Sequence, residues 1–290
     1  MLTRYDQAAS RAAAQVMGQY STSFSLATRL LRGRVREDIR HLYAVVRIAD
    51  ELVDGTADHA AIDAAAALDA YEATILAAPE KRLHTDPVVH SYAITARRCG
   101  FQREHLVAFF DSMRADLTQR EYSATELAEY IYGSAEVIGL LCVQIFLAEE
   151  TVSAADRATM DRGARHLGSA FQKINFLRDL GEDSSVLGRA YFPQASGGEL
   201  SEAAKSALIA DIRRELAASE ESINLLPLSA RVGVRAAADI FAELTNRLAA
   251  TPAAELKTTR ISVPNHTKAW LAARAARAVR AVHPSHRTKR

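Results

Sequence analysis

The sequence predicts an all-α fold organised as a single domain over residues 1–290. Apolar residues recur at i, i+3, i+4 and i+7 in segment after segment, which is the periodicity of amphipathic helices. Alanine is abundant and runs of β-branched residues are rare, so helix propensity is high throughout the chain. With 49% hydrophobic and 24% charged residues, the chain can bury a large core. Because no Pro-, Gly- or Ser-rich linker divides it, we expect one helical bundle.

In the first half of the chain, cap and turn residues separate the helical segments. Gly55 is placed to end the second helix. Asp86 precedes Pro87, which pairs an N-cap residue with a proline at the first helical position. The helices predicted in this half cover residues 4–19, 34–54, 59–77, 87–99 and 102–118.

The second half has its own start and stop signals. Ser123 and Glu126 have the spacing of a capping box, whereas glycine and proline predict a loop over Ser184–Pro193. The longest apolar run, Val137–Ala148, is shorter than the ~20 residues that span a bilayer, so we interpret it as a buried helix. The helices predicted in this half cover residues 125–149, 154–181, 202–224, 229–249 and 262–281.

Charge and cysteine content narrow the classes of function. A net charge of +1 without basic stripes and interleaved aromatics argues against nucleic acid as a partner. No acidic residue follows Glu255, which predicts either a solvated, frayed basic tail or peripheral contact with an anionic membrane. No apolar leader is evident, so the cytoplasm is the expected location. Cys99 and Cys142 are expected in the core. The basic residues near the end are Arg274, Arg277, Arg280, Arg287, Lys289 and Arg290.

Two acidic motifs about 125 residues apart carry the strongest signal of chemistry. Asp50 and Asp54 form one pair and Asp179 and Asp183 the other, and helical i, i+4 spacing puts each pair on one face. Like charges at this spacing weaken an isolated helix by ~0.2–0.5 kcal/mol, so their place in apolar helices suggests a bound cation. Mg²⁺ commonly bridges carboxylates to substrate phosphates. Neighbouring residues suited to anion or metal binding are Arg47, Gln172, Asn175 and Arg178.

The alternative interpretation of these motifs is two solvated helix faces with i, i+4 ion pairs. Apolar neighbours such as Leu42, Val45 and Ile174 favour partial burial instead. A buried carboxylate is costly without a compensating cation, which favours the metal interpretation. A third i, i+4 pair, Asp54 with Asp58, is expected to be accidental because a glycine lies between the two residues.

Several ordered segments, taken together with the acidic motifs, resemble the squalene/phytoene synthase family over nearly the whole chain. The first acidic motif has the family's preceding tyrosine and arginine, and the second has its asparagine one turn earlier and its glutamine two turns earlier. The segments that carry the resemblance are Ser21–Ser25 with Arg29–Leu31, Tyr43–Asp54, Tyr130–Gly139, Gln172–Asp183 and Gly188–Pro193.

The resemblance implies a helical bundle of the isoprenoid synthase type with a central apolar cavity. It also implies Mg²⁺-dependent head-to-head joining of two allylic prenyl diphosphates, with Mn²⁺ as the alternative cation. The family's metal ligands fall at Asp50, Asp54, Asn175, Asp179 and Asp183, and these aspartates with Tyr132 are the expected catalytic residues. For Tyr132, a core aromatic with a bonded hydroxyl is the alternative. Residues at the family's substrate-binding positions are Tyr20, Ser21, Ser23, Arg47, Gln172, Arg178 and Tyr191.

Two positions depart from the family pattern. Glu136 stands where many members have glycine, which leaves the shape of the central helix open. Phe241 stands where many members have a tyrosine that lines the cavity, so no hydroxyl is expected there. Neither departure touches the metal motifs.

Within the tyrosine motif, Tyr132–Gly139 resembles the bacterial carotenoid members of the family more than the squalene-forming ones. That resemblance implies formation of phytoene from two geranylgeranyl diphosphates through prephytoene diphosphate, with no NADPH required. The runner-up is squalene or dehydrosqualene synthesis from farnesyl diphosphate. Two further classes are a terpene cyclase, which should lack the other motifs, and a non-catalytic helical assembly protein, which should have lost part of the metal set. The sequence leaves the oligomeric state open.

Overall fold

The structure, a computed structural model, describes residues 2–181, 189–193 and 200–282. Within these ranges the chain forms helices and short connections, with one isolated bridge between Glu121 and Ala190. The helices of the first half are α1 Leu2–Tyr20, α2 Thr22–Arg29, α3 Gly33–Val53, α4 Thr56–His59, α5 Ala64–Ala77, α6 Pro87–Cys99 and α7 Arg103–Thr118. Those of the second half are α8 Ala124–Ile131, α9 Val137–Leu147, α10 Ala154–Arg178, α11 Glu202–Ala218, α12 Glu220–Leu225, α13 Leu228–Ala250 and α14 Asn265–Val282. The all-α prediction is confirmed.

The start and stop signals act as the sequence predicts. Asp86 accepts hydrogen bonds from the first amides of α6, with Pro87 at the first helical position. Ser123 and Glu126 form the reciprocal capping box of α8. Gly55 follows the end of α3 with a φ of 100°, a left-handed conformation that favours glycine.

The structure differs from the predicted helices in four places, one of which is the predicted helix 202–224, divided at Ser219 into α11 and α12. Helix α2 was not predicted, and its start is fixed by Ser21, which accepts a hydrogen bond from the Phe24 amide. The predicted helix 59–77 begins late, because Asp63 caps a new helix after α4 ends. The predicted helix 125–149 contains a π-helical turn over Tyr132–Glu136, which joins α8 to α9.

Glycines let the central α8–α9 helix approach its neighbours closely. A Cβ on Gly133 would lie 2.3 Å from the Ala108 carbonyl oxygen of α7. A Cβ on Gly139 would lie 2.5 Å from the Ala164 carbonyl oxygen of α10. Side chains at these positions would therefore push α7 and α10 away from the middle of the bundle.

Within the described residues, the core has two large groups of buried side chains and a small third group, Ala236, Ala272 and Ala275, between α13 and α14. Of the two large groups, one packs between α3, α5, α6, α7 and α9, and the other between α8, α10, α11 and α13. Segment Ala124–Leu147 is long and apolar enough to cross a membrane, but 61% of its most apolar window is buried within the fold, as in a core helix. Representative members of the two groups are Leu42, Leu68, Tyr92, Phe110 and Leu141, and Ile131, Ile174, Ile209 and Ile240.

A buried polar network joins α1, α3 and α6 away from the acidic motifs. Asp38 is fully buried and paired with Arg98. Thr95 donates a hydrogen bond to Asp38 at 2.5 Å, so the Thr95 oxygen accepts from Nδ1–H of His41 at 2.9 Å. Nε2 of His41 then accepts from the Ser10 hydroxyl at 2.9 Å. Burial lowers the pKa of His41 to about 4, so this imidazole is neutral in the fold.

Candidate active site

The C-terminal half of α3, the last turns of α10 and the start of α2 meet at one polar cleft. Its volume is about 440 Å³, within the range of small-molecule sites. Most residues that the sequence analysis assigned to the site are brought together here. The predicted residues that line the cleft are Tyr20, Ser21, Ser23, Arg47, Asp50, Gln172, Asn175 and Arg178.

Arg47 and Asp50 form the first charged pair of the cleft. The Arg47 guanidinium lies 2.5 Å from Asp50, also pairs with Glu51, and lies 4.4 Å from the Tyr20 ring centroid. Loss of hydration and the nearby Asp54 raise the pKa of Asp50 to about 7. The first motif therefore holds more negative charge than Arg47 alone compensates.

Asp54 lies at the C-terminal end of α3, where its amide donates to the Asp50 carbonyl oxygen. Its Oδ1 accepts a hydrogen bond of 3.0 Å from Arg189. Arg189 is only 4% exposed, and its position depends on contacts 135 residues away along the chain, which no local pattern could reveal.

Arg178 and the side-chain amide of Asn175 are the parts of the second motif that line the cleft. Asp179 caps the end of α10 and accepts hydrogen bonds from Arg178 at 2.9 Å and from Arg260 at 3.0 Å. Asn175 lies one turn earlier, and its buried Oδ1 has no hydrogen-bond partner within the described residues. Asp183, the last predicted ligand, lies outside the described residues.

The two tyrosines of the central motif have different surroundings. Tyr132, the predicted catalytic tyrosine, is not among the described residues that line the polar cleft or the apolar cavity beside it. Its ring lies 5.4 Å from the guanidinium of Arg165, which pairs with Glu136 at 2.7 Å. Tyr130 lines the polar cleft, and its hydroxyl donates to Asp116 at 2.7 Å.

Tyr191 lies beside the cleft. Its ring stacks on Phe176 with centroids 3.9 Å apart, and its hydroxyl donates to Asp116 at 3.1 Å. Burial raises the pKa of Asp116 to about 6, while Arg189 and the hydroxyl of Tyr130 act in the opposite direction. The sequence analysis missed Asp116, and no motif spacing links it to residues in other segments.

An apolar cavity of about 300 Å³ lies beside the polar cleft. Phe24, Tyr43, Val46 and Ser134 line both spaces, so the two are adjacent. Phe241 faces the cleft and stacks on Phe171 with centroids 3.9 Å apart. Further lining residues of the apolar cavity include Leu31, Ile39, Ile138, Cys142, Phe146, Met160, Leu167 and Val234.

The donor groups of the cleft fit Mg²⁺ that is shared with a diphosphate. Within the described part of the chain, no three His, Cys, Asp or Glu side chains lie together as a ready-made metal cage. Mg²⁺ is usually held by one or two carboxylates and by substrate phosphates, which does not require such a cage. Hard oxygen ligands are at hand in Asp50 and in the buried Oδ1 of Asn175.

Two cationic residues of the cleft were missed from sequence. Arg260 and Lys268 both line it, on either side of the start of α14. Lys268 is 8% exposed and lies 2.9 Å from the Thr22 hydroxyl, and burial and the nearby Arg178 lower its pKa. The sequence signal for these two cations is the absence of acidic residues after Glu255, which equally predicts a basic tail or contact with a membrane surface.

The sequence is similar to those of two bacterial phytoene synthases. A 15-cis-phytoene synthase from a Paracoccus species is 30% identical over 184 residues, covering 62% of this chain and 58% of that protein. A 15-cis-phytoene synthase from Synechococcus elongatus is 35% identical over 188 residues, covering 62% of this chain and 59% of that protein. The chain thus matches less than two thirds of the length of these relatives.

The crystal structure of a dehydrosqualene synthase in complex with a ligand superposes with a TM-score of 0.79 at 21% identity, covering 97% of this chain and 100% of that chain. This likeness confirms the isoprenoid synthase type of fold. Residues 17–267 match the squalene/phytoene synthase family. A match over that much of its length shows that the chain belongs to the squalene/phytoene synthase family.

Proposed function

We propose that the protein joins two molecules of geranylgeranyl diphosphate head to head and forms phytoene. The observation that carries this proposal is a charged cleft beside an apolar cavity, with Tyr43 and Ser134 among the residues that line both at their junction. A prenyl diphosphate has the same division, since a charged head group is joined to a long hydrocarbon chain. The carbon–oxygen bond that must break would lie at this junction.

The cationic side chains of the cleft would bind the diphosphates. Arg47, Arg178 and Arg260 can donate charge-assisted hydrogen bonds, and Lys268 adds a fourth positive charge. As the bond between C1 and oxygen breaks, its electron pair moves onto the diphosphate. These donors then stabilise the new negative charge. This stabilisation is the largest electrostatic contribution that the chain's own side chains can make to bond breaking.

A divalent cation fits the same step. Asp50, Asp54, Asn175 and Asp179 are the described residues that would hold Mg²⁺, together with Asp183 of the second motif. When bound, Mg²⁺ neutralises charge on the leaving diphosphate. Mn²⁺ also prefers oxygen ligands of this kind and is the alternative.

The aromatic residues around the junction would protect the allylic cation. Phe24, Phe171 and Phe241 form one group, with ring centroids of Phe24 and Phe241 5.5 Å apart. Ring faces stabilise positive charge, and the apolar walls exclude water that would convert the cation to an alcohol. Attack by the second substrate's double bond and loss of one proton give a cyclopropyl diphosphate. A second ionisation, ring opening and loss of another proton give a C40 triene.

Two observations support the C20 substrate over the C15 one. The curated relatives described above, at 30% and 35% identity, bear the name phytoene synthase. Along α10 the lining residues extend from Arg178 to Met160. Those 18 residues span about 27 Å of helix, which favours a long hydrocarbon chain.

The experiment that tests this function is product analysis. Purified protein with Mg²⁺ is incubated with geranylgeranyl diphosphate or farnesyl diphosphate, each with and without NADPH. A C40 triene formed without NADPH is the expected product. A C30 hydrocarbon would move the assignment to squalene or dehydrosqualene synthesis, and no coupled product from either substrate would contradict the proposal.

We also propose that the protein works at the cytoplasmic face of a membrane. Helix α14 exposes Trp270, whose ring lies 5.0 Å from the guanidinium of Arg274, and Arg277 is exposed nearby. An interfacial aromatic beside basic residues favours an anionic lipid surface. Residues 283–290, which hold the rest of the basic end, lie outside the described residues. Co-sedimentation with phosphatidylglycerol vesicles, but not phosphatidylcholine vesicles, is the expected result.

A further inference from the structure

Arg189 lies between the C-terminal ends of two helices. Its Nη2 donates to the Val53 carbonyl oxygen at the end of α3, at 2.9 Å, and to the Asp116 carbonyl oxygen in the last turn of α7, at 3.0 Å. Its Nη1 donates to Asp54 Oδ1 at 3.0 Å and lies 3.7 Å from Asp116 Oδ1. One guanidinium thus joins two helix ends and two carboxylates.

A positive charge is energetically favourable at the position of the Arg189 guanidinium. Helix C-termini carry partial negative charge from unpaired carbonyl groups, so a carboxylate there is unfavourable without a nearby cation. Asp54 lies at such an end, one helical turn from the carboxylate of Asp50. Arg189 supplies the cation, caps the carbonyl of Val53 and ties up one oxygen of Asp54 in the same contact.

Arg189 is itself held in place by a second group of contacts. The carboxylate of Asp116, 2% exposed, accepts hydrogen bonds from Tyr130 on α8 and from Tyr191. Nη1 of Arg189 also lies 3.4 Å from the Tyr191 hydroxyl. Because all these partners are buried, the guanidinium has little freedom to turn toward the cleft.

We propose that Arg189, anchored on Asp116, is a positioning residue that fixes the Asp54 carboxylate for the divalent cation. This inference rests on the proposed function, in which Asp54 is a metal ligand. Arg47 and Arg178 line the cleft and can meet the diphosphate directly. Arg189 is not among the described residues that line it and acts through Asp54 alone. Partners of this kind alter metal affinity by about 10- to 100-fold when they are changed.

The same helix provides a matched control. Asp38, on the first half of α3, is fully buried and paired with Arg98 of α6. This Arg–Asp pair joins the same helix to a neighbour, but neither residue is among those described as lining the cleft. Arg98→Lys and Arg189→Lys therefore make the same chemical change, since lysine keeps the charge and loses the planar fork.

The test measures Mn²⁺ binding by electron paramagnetic resonance, with inorganic diphosphate present, and unfolding temperature by circular dichroism. In Arg189→Lys we expect the Mn²⁺ dissociation constant to rise about 10-fold or more, and the Mg²⁺ concentration for half-maximal turnover to rise in parallel. In Arg98→Lys we expect a lower unfolding temperature and an unchanged Mn²⁺ dissociation constant. Equal Mn²⁺ affinity in Arg189→Lys and the unaltered protein would overturn the inference.

A second variant keeps the test decisive if Arg189→Lys does not fold. Asp116→Asn leaves Arg189 in the chain and weakens its anchor, and weaker Mn²⁺ binding in this folded variant is expected. Unchanged binding would count against the positioning role. Because the Mn²⁺ measurement needs no prenyl substrate, failure of the unaltered protein to form product would refute the proposed function while leaving this comparison valid.

Discussion

At the scale of single residues, Asp50 shows how a site can oppose the stability of its own fold. Its pKa is raised to about 7 because the carboxylate has lost hydration and lies near Asp54. The ionised form is therefore less favourable in the folded chain than in the unfolded chain. Residues that reduce stability in this way are typical of functional sites, where activity and stability compete.

The variant Asp50→Ala separates these two effects. We expect turnover to fall by at least about 10²- to 10³-fold, because a charged group facing the leaving diphosphate is lost. The unfolding temperature should equal or exceed that of the unaltered protein, since a like-charge repulsion with Asp54 is removed. Steady-state kinetics and a thermal melt check both statements. Retained turnover would show that Asp50 is not a metal ligand.

The two motif tyrosines give a second prediction at this scale. Tyr130→Phe removes a hydroxyl from the cleft and from Asp116, so we expect kcat to fall about 10-fold or more and stability to fall by about 1 kcal/mol. Tyr132→Phe, whose ring lies beside Arg165 instead, should change kcat by less than about 3-fold, within the effect of a minor contact. Steady-state kinetics of the two purified variants show which tyrosine contributes to turnover. A larger loss in Tyr132→Phe than in Tyr130→Phe would support Tyr132 as the catalytic tyrosine.

At the scale of elements, close contact between α10 and the π-helical turn positions the cleft. A Cβ on Gly168 would lie 2.6 Å from the Ala135 carbonyl oxygen, and backbone atoms cannot yield cheaply. We expect Gly168→Ala to destabilise the protein by about 1–3 kcal/mol in urea unfolding. Gly18→Ala is the control: near the end of α1 no heavy atom lies within 4 Å of the place that the new methyl group would take, so a gain of about 0.5–1 kcal/mol is expected. Equal effects of the two changes would contradict the packing argument.

The elements also show what the sequence could and could not predict. Strong caps such as Asp86 and Ser123 act locally, so the starts of α6 and α8 were predictable. The π-helical turn over Tyr132–Glu136 was not, because the segment on each side keeps its own helical apolar period and the turn changes only the register between them. That turn matters, since residues on either side of it face the cleft in a different register from that of a regular helix.

At the scale of the whole molecule, long-range contacts set the limit on prediction. Arg47, Asn175 and Arg178 could be found because each lies within one turn of an aspartate in its own motif. Arg189 and Asp116 could not, because their partners lie 135 and 75 residues away, and only the folded bundle brings them together. The charges of Arg189 and Asp116, which lie behind the cleft and hold Asp54, are therefore brought together only by the tertiary structure.

The pH dependence of stability is also a property of the whole fold, and His41 offers a way to measure part of it. Burial lowers the pKa of His41 from 6.5 to about 4. Between these values the unfolded chain binds a proton that the folded chain does not, so the contribution of His41 to stability falls as the pH falls. Over the full window the loss is about 3 kcal/mol.

Asp50 and Asp116 act in the opposite direction, because their raised pKa values let the folded chain bind protons that the unfolded chain releases. The total stability of the unaltered protein therefore mixes both effects. His41→Gln keeps a neutral donor and acceptor between Thr95 and Ser10 and cannot titrate. We expect the stability advantage of the unaltered protein over His41→Gln to stay constant above pH 6.5 and to shrink between pH 6.5 and about 4, as urea unfolding at each pH will measure. An advantage that does not vary with pH would mean that His41 binds a proton in the fold as readily as in the unfolded chain, and that Nε2–H then donates to the Ser10 hydroxyl.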